Sequence, residues 1–300
     1  MFTIKEIETQ GLHYIELTSS NRKSIAQICL NQGGRLSDFI FENIPILADY
    51  EPETYKNNYA SSILFPFANR IKDGEYTFNN TKFKFDCNEV DKNNALHGFV
   101  YYKTFVCIDK KQTSDYASIT LEYKADGKHK GFPFKFNIQL IYKLGKTGLS
   151  LTVEVKNEDE QAFPFTLGWH PYFISEDLYK SSIIFKGDTK YLFDEQQIIS
   201  GTANLDFEMP FQLKDITLDN GYPLKSNEIE FLTPKYNLKI TTTSKENFLQ
   251  LFTPNKPNTI AIEPMTGAVD SFNNNIGLQT LTPKETYNVE WNLILETITN

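Results

Sequence analysis

Cysteine is scarce in this chain, and its spacing is uninformative. Cys29, Cys87 and Cys107 are odd in number, far apart and without a CxxC pair, so neither a disulfide framework nor a thiolate metal knuckle is indicated. They read as reduced packing thiols. Alanine is scarce too, with 11 in 300 residues, and no long window carries an apolar stripe at helical spacing, which argues against a helical protein. Only Arg35 to Phe41 and Glu176 to Lys180 read as holding a turn or two of helix. No apolar run approaches the roughly 20 residues of a membrane span. Lys5, Glu6 and Glu8 interrupt the N-terminus where a secretion signal needs an apolar core, so a soluble, cytoplasmic protein without a membrane partner is expected. Positive charge is in deficit: 30 Lys+Arg against 38 Asp+Glu leave a net charge of −8, which lacks the basic footprint of a nucleic-acid binder. Walker A, GxGxxG after a strand, GxSxG and HExxH are all missing, which removes support for phosphate-loop, dinucleotide, serine-hydrolase and zincin readings.

What is abundant is aromatic and apolar side chain, with 24 Phe, 16 Tyr and 2 Trp. These residues recur with a period of two. Phe132, Phe134, Phe136, Ile138, Leu140, Tyr142 and Leu144 fall on one face of an extended chain, and Leu149, Leu151, Val153 and Val155 continue after GKTG. Residues 132 to 156 therefore predict a long antiparallel hairpin turning at Gly145 to Gly148. Ala117 to Tyr123, Leu238 with Ile240, and Tyr287 to Leu295 alternate in the same way. YTFNNTKFKFDC reads as a shorter hairpin turning at Asn79 and Asn80. Strand patterns run from end to end with no Ser/Gly/Pro-rich linker and no repeat of fixed period, so the expectation is an all-β sandwich of large antiparallel sheets in a single domain, residues 1 to 300.

Of four histidines, His13 has an ordinary reading as a strand residue and His129 as a solvated loop residue. His97 stands in NNALHGF, before a glycine that lets the backbone bend close to a ligand, and His170 stands in FTLGWHPYF among aromatics; a satisfied core histidine is the alternative for each. Arginine is used only at 22, 35 and 70, so Arg70, after LFPFAN, points to a need for a planar fork of donors, or else to a structural ion pair. Glu263 in TIAIEPMTG follows an apolar run that disfavours its charge and moves it toward the range of a general base, unless it is a plain strand-end glutamate. Asp219 in ITLDNGYPL is a candidate that ordinary turn chemistry also explains. His97, His170 and Glu263 could in principle ligate a metal, but their separations carry no ligand-spacing signal.

FANRIKDGEYTF, ALHGF, LGWHPYF and AIEPMTGAVDSFNN occur in the order found in the aldose 1-epimerase (galactose mutarotase) family, which the chain resembles over nearly its full length. The resemblance implies a galactose-mutarotase-like β-supersandwich and interconversion of the α and β anomers of an aldose, with a small-molecule sugar as partner and no cofactor or metal. Matched position by position, Glu263 takes the place of the family's general base and His170 of its general acid. His97 and Arg70 match the residues that hold the ring oxygen and hydroxyls, Asn69 stands beside them, and Asp219 is the best match to a hydroxyl-binding aspartate. Trp169, Tyr172 or Phe173 could stack on the sugar or belong to the core. The rival readings are a hexose-6-phosphate 1-epimerase, a non-catalytic carbohydrate-binding or regulatory protein of the same fold, and a two-carboxylate hydrolase or lyase. The oligomeric state is not specified by the sequence.

Overall fold

The structure is a computed structural model that describes residues 1–47, 49 and 54–298. Among these, two large antiparallel sheets dominate, of eleven and nine strands. The nine-stranded sheet is laid down by the alternating segments. Ala117–Asp126, Lys135–Leu144, Gly148–Asn157, Thr286–Thr297 and Tyr236–Thr242 stand side by side, with Tyr142 opposite Leu151 and Leu151 opposite Trp291. Every even position from Phe132 to Leu144 is buried, as are the odd positions from Leu149 to Val155. One face is thus apolar throughout, at roughly 1.5–3 kcal/mol for each large side chain withdrawn from water. The short hairpin also forms, Glu75–Phe78 against Thr81–Lys84, with Asn79 and Asn80 both at positive φ, as a tight two-residue turn requires.

The eleven-stranded sheet begins with the meander Thr3–Thr9, Leu12–Thr18, Ile25–Cys29, Arg35–Phe41 and Ile44–Leu47, then passes through Tyr172–Ile174 to Thr259–Met265. Arg35 to Phe41 is therefore a strand rather than helical turns. Its burial on both faces, and a register shift against its neighbour at Gln27 and Ile28, hide the two-residue period. Glu176 to Lys180 does contain a turn, of 3₁₀ type at Leu178–Lys180.

The two sheets meet through large side chains. Trp169 stacks on Trp291 with centroids 6.2 Å apart, and Phe173 packs against Phe231 at 6.4 Å. Trp169 and Phe173 are fully buried, so both belong to the core and neither is available to stack on a ligand. His129 departs from the solvated reading: its ring lies 3.7 Å from that of Phe99, nearly parallel, and Nε2 is 3.0 Å from the Tyr102 hydroxyl. His13 is a strand residue with an exposed ring. The three cysteines are free thiols, Cys29 buried and the others half-buried. No helix among the described residues is long and apolar enough to cross a membrane.

Candidate active site

Thr259–Met265 is the central element of the site. It is buried along its whole length, flanked on one side by Phe248–Phe252 and on the other by Tyr172–Ile174 and Gly168–Trp169. Glu263 lies in this strand, 2% exposed. His170 follows Gly168–Trp169 directly and is held by two backbone bonds, its own N–H donating to the Ser62 carbonyl at 3.0 Å while the Ser61 N–H donates to its carbonyl at 2.8 Å. This places His170 Nε2 3.4 Å from Glu263 Oε1. Across the strand pair, Gln250 stands opposite Glu263 and donates from Nε2 to Asp219 Oδ1 at 2.7 Å. Asp219 itself is exposed at the rim.

A two-stranded ladder brings in the other side. Arg70–Lys72 pairs with Asn94–Leu96, and the His97 N–H donates to the Asn69 carbonyl at 2.8 Å, extending the ladder by one rung. Asn69 and His97 are both in the left-handed region, φ 60° and 64°, a conformation that costs a non-glycine residue on the order of 1 kcal/mol. Gly98 explains how the turn is possible. With φ +66°, a Cβ there would meet the Phe65 carbonyl oxygen at 2.1 Å, so the glycine serves a close approach to backbone rather than to a ligand. Asp270, from the motif that also holds Glu263, fastens the ladder from behind. Its N–H donates to the Arg70 carbonyl at 2.8 Å and its Oδ1 accepts from the Lys72 N–H at 3.0 Å.

The structure thus brings Glu263, His170, His97, Arg70, Asn69 and Asp219 together. The rings of His97 and His170 are 5.2 Å apart, edge to face, with Tyr59 against His97 at 4.8 Å and Tyr172 against His170 at 4.9 Å. Arg70 is engaged, as the ion-pair reading required: Nε lies 3.1 and 2.9 Å from the two Glu89 oxygens, Nη2 donates to Glu89 Oε1 at 2.9 Å, and Nη1 donates to Asn69 Oδ1 at 3.1 Å. Glu89, Gln250 and Asp270 escape a reading from sequence, although a glutamine in the otherwise apolar FLQLF was a usable signal.

Electrostatics separates the members. Glu263 is pushed well above the usual carboxylate range by burial first and by the nearby Asp219 charge second, with Arg70 opposing. Burial lowers His170 to about 4, and burial, His170 and Arg70 together lower His97 well below the ordinary imidazole value. The neutral forms are therefore favoured for all three. His170 and Glu263 count as an ion pair by distance, but burial of both places the shared proton on the carboxyl in the free protein. Glu263 Oε2, Gln250 Oε1 and the Nδ1 atoms of His97 and His170 are buried without a hydrogen-bond partner. Such a set is costly in an apolar core and suited to a polar ligand. Among the described residues, no group of three or more His, Cys, Asp or Glu side chains could hold a metal ion.

Comparison with known proteins bears on the fold and the family. A family described as aldose 1-epimerase matches residues 16–293. The Escherichia coli K12 protein YihR, itself uncharacterized, is 22% identical over 273 residues, covering 87% of each chain. Among solved structures, a galactose mutarotase-like protein from Clostridium acetobutylicum superposes with a TM-score of 0.88 at 21% identity, covering 99% of both chains. Galactose 1-epimerase from Lactobacillus acidophilus NCFM gives 0.80 at 17%, covering 100% of this chain and 99% of the other. The two structures share the fold, and the family match extends over nearly all of the sequence and every residue of the site: the chain belongs to the aldose 1-epimerase family, whose fold and membership support a mutarotase-like role.

Proposed function

We propose that the protein is an isomerase that interconverts the α and β anomers of a free aldohexose such as glucose or galactose by acid–base ring opening. The observation that carries this reading is the Glu263–His170 pair, 3.4 Å apart and almost wholly withdrawn from solvent. Mutarotation removes a proton from the C1 hydroxyl and adds one to the ring oxygen. The C1–C2 bond then turns, and closure on the other face reverses both transfers. Glu263 as base and His170 as acid carry the two protons.

The burial of the pair suits the middle of this cycle. Once Glu263 has taken the hydroxyl proton and His170 has given up its own, both groups are neutral, the state their environment favours. The closed-ring complex needs the charged arrangement instead, Glu263 ionised and imidazolium at His170. This has the same number of protons and is supported by a C1 hydroxyl donating to the carboxylate and a ring oxygen accepting from the imidazolium. His97, Arg70, Asn69 and Asp219 hold the ring oxygen and hydroxyls.

Two features favour a free sugar over a hexose 6-phosphate. The Arg70 charge is matched by Glu89, and the Lys103 ammonium sits over the rings of Phe99 and Tyr102, on the His129 side of the chain. Polarimetry tests the proposal. Freshly dissolved α-glucose or α-galactose should equilibrate faster with the protein than without it, and free hexose should exceed its 6-phosphate in kcat/KM at matched ionic strength. No acceleration with any aldose would overturn the reading, and a phosphate preference of tenfold or more would make it a hexose-6-phosphate epimerase.

A further inference from the structure

A guanidinium carries five N–H donors, and in this site most of Arg70's are spoken for before any sugar arrives. Glu89 takes the Nε hydrogen and one on Nη2 in a side-on fork, and Asn69 takes one on Nη1. One hydrogen on each terminal nitrogen remains. Both side chains of the ion pair are only 12% exposed, so the fork is a built feature rather than a surface contact. Glu89 is itself fixed. Its backbone exchanges two hydrogen bonds with Asn94, at 3.1 and 3.2 Å, and Oε2 accepts from Asn94 Nδ2 at 2.9 Å. Asn94 is fully buried, with its amide also donating to the Gln196 carbonyl at 2.7 Å. Lys92 Nζ stands further off, 4.0 Å from Oε1.

We infer that Glu89 is a positioning and specificity-determining residue of this site: it aims the two free N–H groups of Arg70 and cancels its charge, so that the site takes neutral aldoses and disfavours sugars with an anionic group at C6. This deepens the mutarotase reading and rests on it. The charge argument follows from where Arg70 acts. Its field reaches both Glu263 and His97, and C6 of an aldohexose is attached beside the ring oxygen that His97 and Arg70 are proposed to hold. An uncompensated guanidinium there would attract a phosphate or carboxylate, as Arg does wherever bidentate anion recognition is wanted. With Glu89 in place the charge of the Arg70–Glu89 pair sums to zero, and a second anion would meet the Glu89 carboxylate as well as the guanidinium. The groups that face Arg70 are Glu89, Asn69 and, through its field, His97 and Glu263; Lys92 faces Glu89 from its own loop.

Two variants separate the aiming from the charge. Glu89→Gln keeps the shape and removes the charge. It should raise the kcat/KM ratio of glucose 6-phosphate to glucose at least tenfold, make glucose turnover sensitive to inorganic phosphate, and shift the basic limb of the pH–rate profile down by roughly 0.5 unit, because Glu263 holds the pair's proton and Arg70 then favours its loss unopposed. Glu89→Asp keeps the charge and shortens the reach. It should lower kcat/KM for every sugar while leaving the ratio unchanged. A folded Glu89→Gln protein with an unaltered ratio and pH profile would overturn the inference. If the unmodified protein turns over no aldose, the mutarotase reading falls, and calorimetric binding of glucose, glucose 6-phosphate and glucuronate to both proteins still reads the charge selectivity. An anion-to-neutral affinity ratio that rises in Glu89→Gln upholds it; equal ratios, or no binding to either protein, overturn it.

Discussion

Two ionisable pairs lie within one site and are treated in opposite ways. Arg70 and Glu89 are joined by three short contacts and supported by Asn69 and Asn94, and Glu89 is held below the usual carboxylate range because those bonds outweigh the burial that works to raise it. His170 and Glu263 are more deeply buried, touch at one point and leave Glu263 Oε2 and His170 Nδ1 without partners. Hydrogen bonding fixes the charge in the first pair, and desolvation removes it from the second. A saturated ion pair is a rigid arm. An unsaturated one is free to exchange protons with whatever enters, which is what a general acid and base require.

The sharpest way to break this contrast is to remove the exchange. Glu263→Gln and His170→Asn should each lower kcat by roughly 10²- to 10⁴-fold, the usual worth of a positioned acid or base, with little change in fold because the first is isosteric and the second keeps a smaller polar side chain at the same place. Polarimetric rates for variants with unaltered near-UV circular dichroism check this, and activity within a fewfold of the original would refute the assignment. His97→Asn should be milder, with a loss of roughly 10- to 100-fold shared between kcat and KM, since its bond is to a ligand atom whose charge develops during reaction.

Arg70→Met attacks the rigid arm. It removes ligand donors and also leaves Glu89 buried with only Asn94 and the more distant Lys92, so a loss of stability of about 2–4 kcal/mol is expected alongside weaker sugar binding. Urea denaturation of Arg70→Met, Glu89→Gln and the double variant measures the coupling. A double variant more stable than Arg70→Met would confirm that the stranded carboxylate is the cost, and additive losses would mean that the fork contributes nothing beyond its two residues.

The parts of the molecule differ in how far the sequence announces them. The nine-stranded sheet is legible because its strands of ten residues or more have one drier and one wetter face, so Phe136, Ile138, Leu140 and Tyr142 mark their own register. The strands that build the site are two or three residues long, as at Gly168–Trp169, or dry on both faces, as at Thr259–Met265, and neither kind has a period to read. Glu263 and His170 were nonetheless visible, because an ionisable group within an apolar run is an expense that structure alone rarely justifies. Glu89 was not. It sits in the polar stretch CNEVDKNN, and its role depends on a partner nineteen positions away. His129 was misplaced because Phe99, which covers its ring, is likewise distant in sequence.

The smallest expected effect is a change in the slope of stability against pH, and it tests what burial does to Glu263 and His170 without reference to any substrate. His170 has its folded pKa depressed to about 4 from the ordinary imidazole value of 6.5, so its contribution is present above 6.5 and is lost as pH falls toward 4. Glu263 is raised from 4.5, so its contribution is present below 4.5 and is lost as pH rises toward its folded value. Between 4.5 and 6.5 the unfolded chain carries one proton on the imidazole and none on the carboxyl, while the folded chain carries one on the carboxyl and none on the imidazole. The proton count is equal, so the pair as a whole contributes no slope in this window. Removing one partner exposes the other. Relative to the unsubstituted protein, Glu263→Gln should gain stability with rising pH across the window, and His170→Asn should lose it, each with a slope of up to about 1.4 kcal/mol per pH unit. His97 adds an upward slope through its own burial, shared by the unsubstituted protein and Glu263→Gln and smaller in His170→Asn, where the His170 contribution is gone. Denaturant midpoints at four or five pH values decide the matter: slopes of opposite sign establish that burial drives each group toward its neutral form, and parallel curves would mean that the fold displaces neither group from its ordinary range.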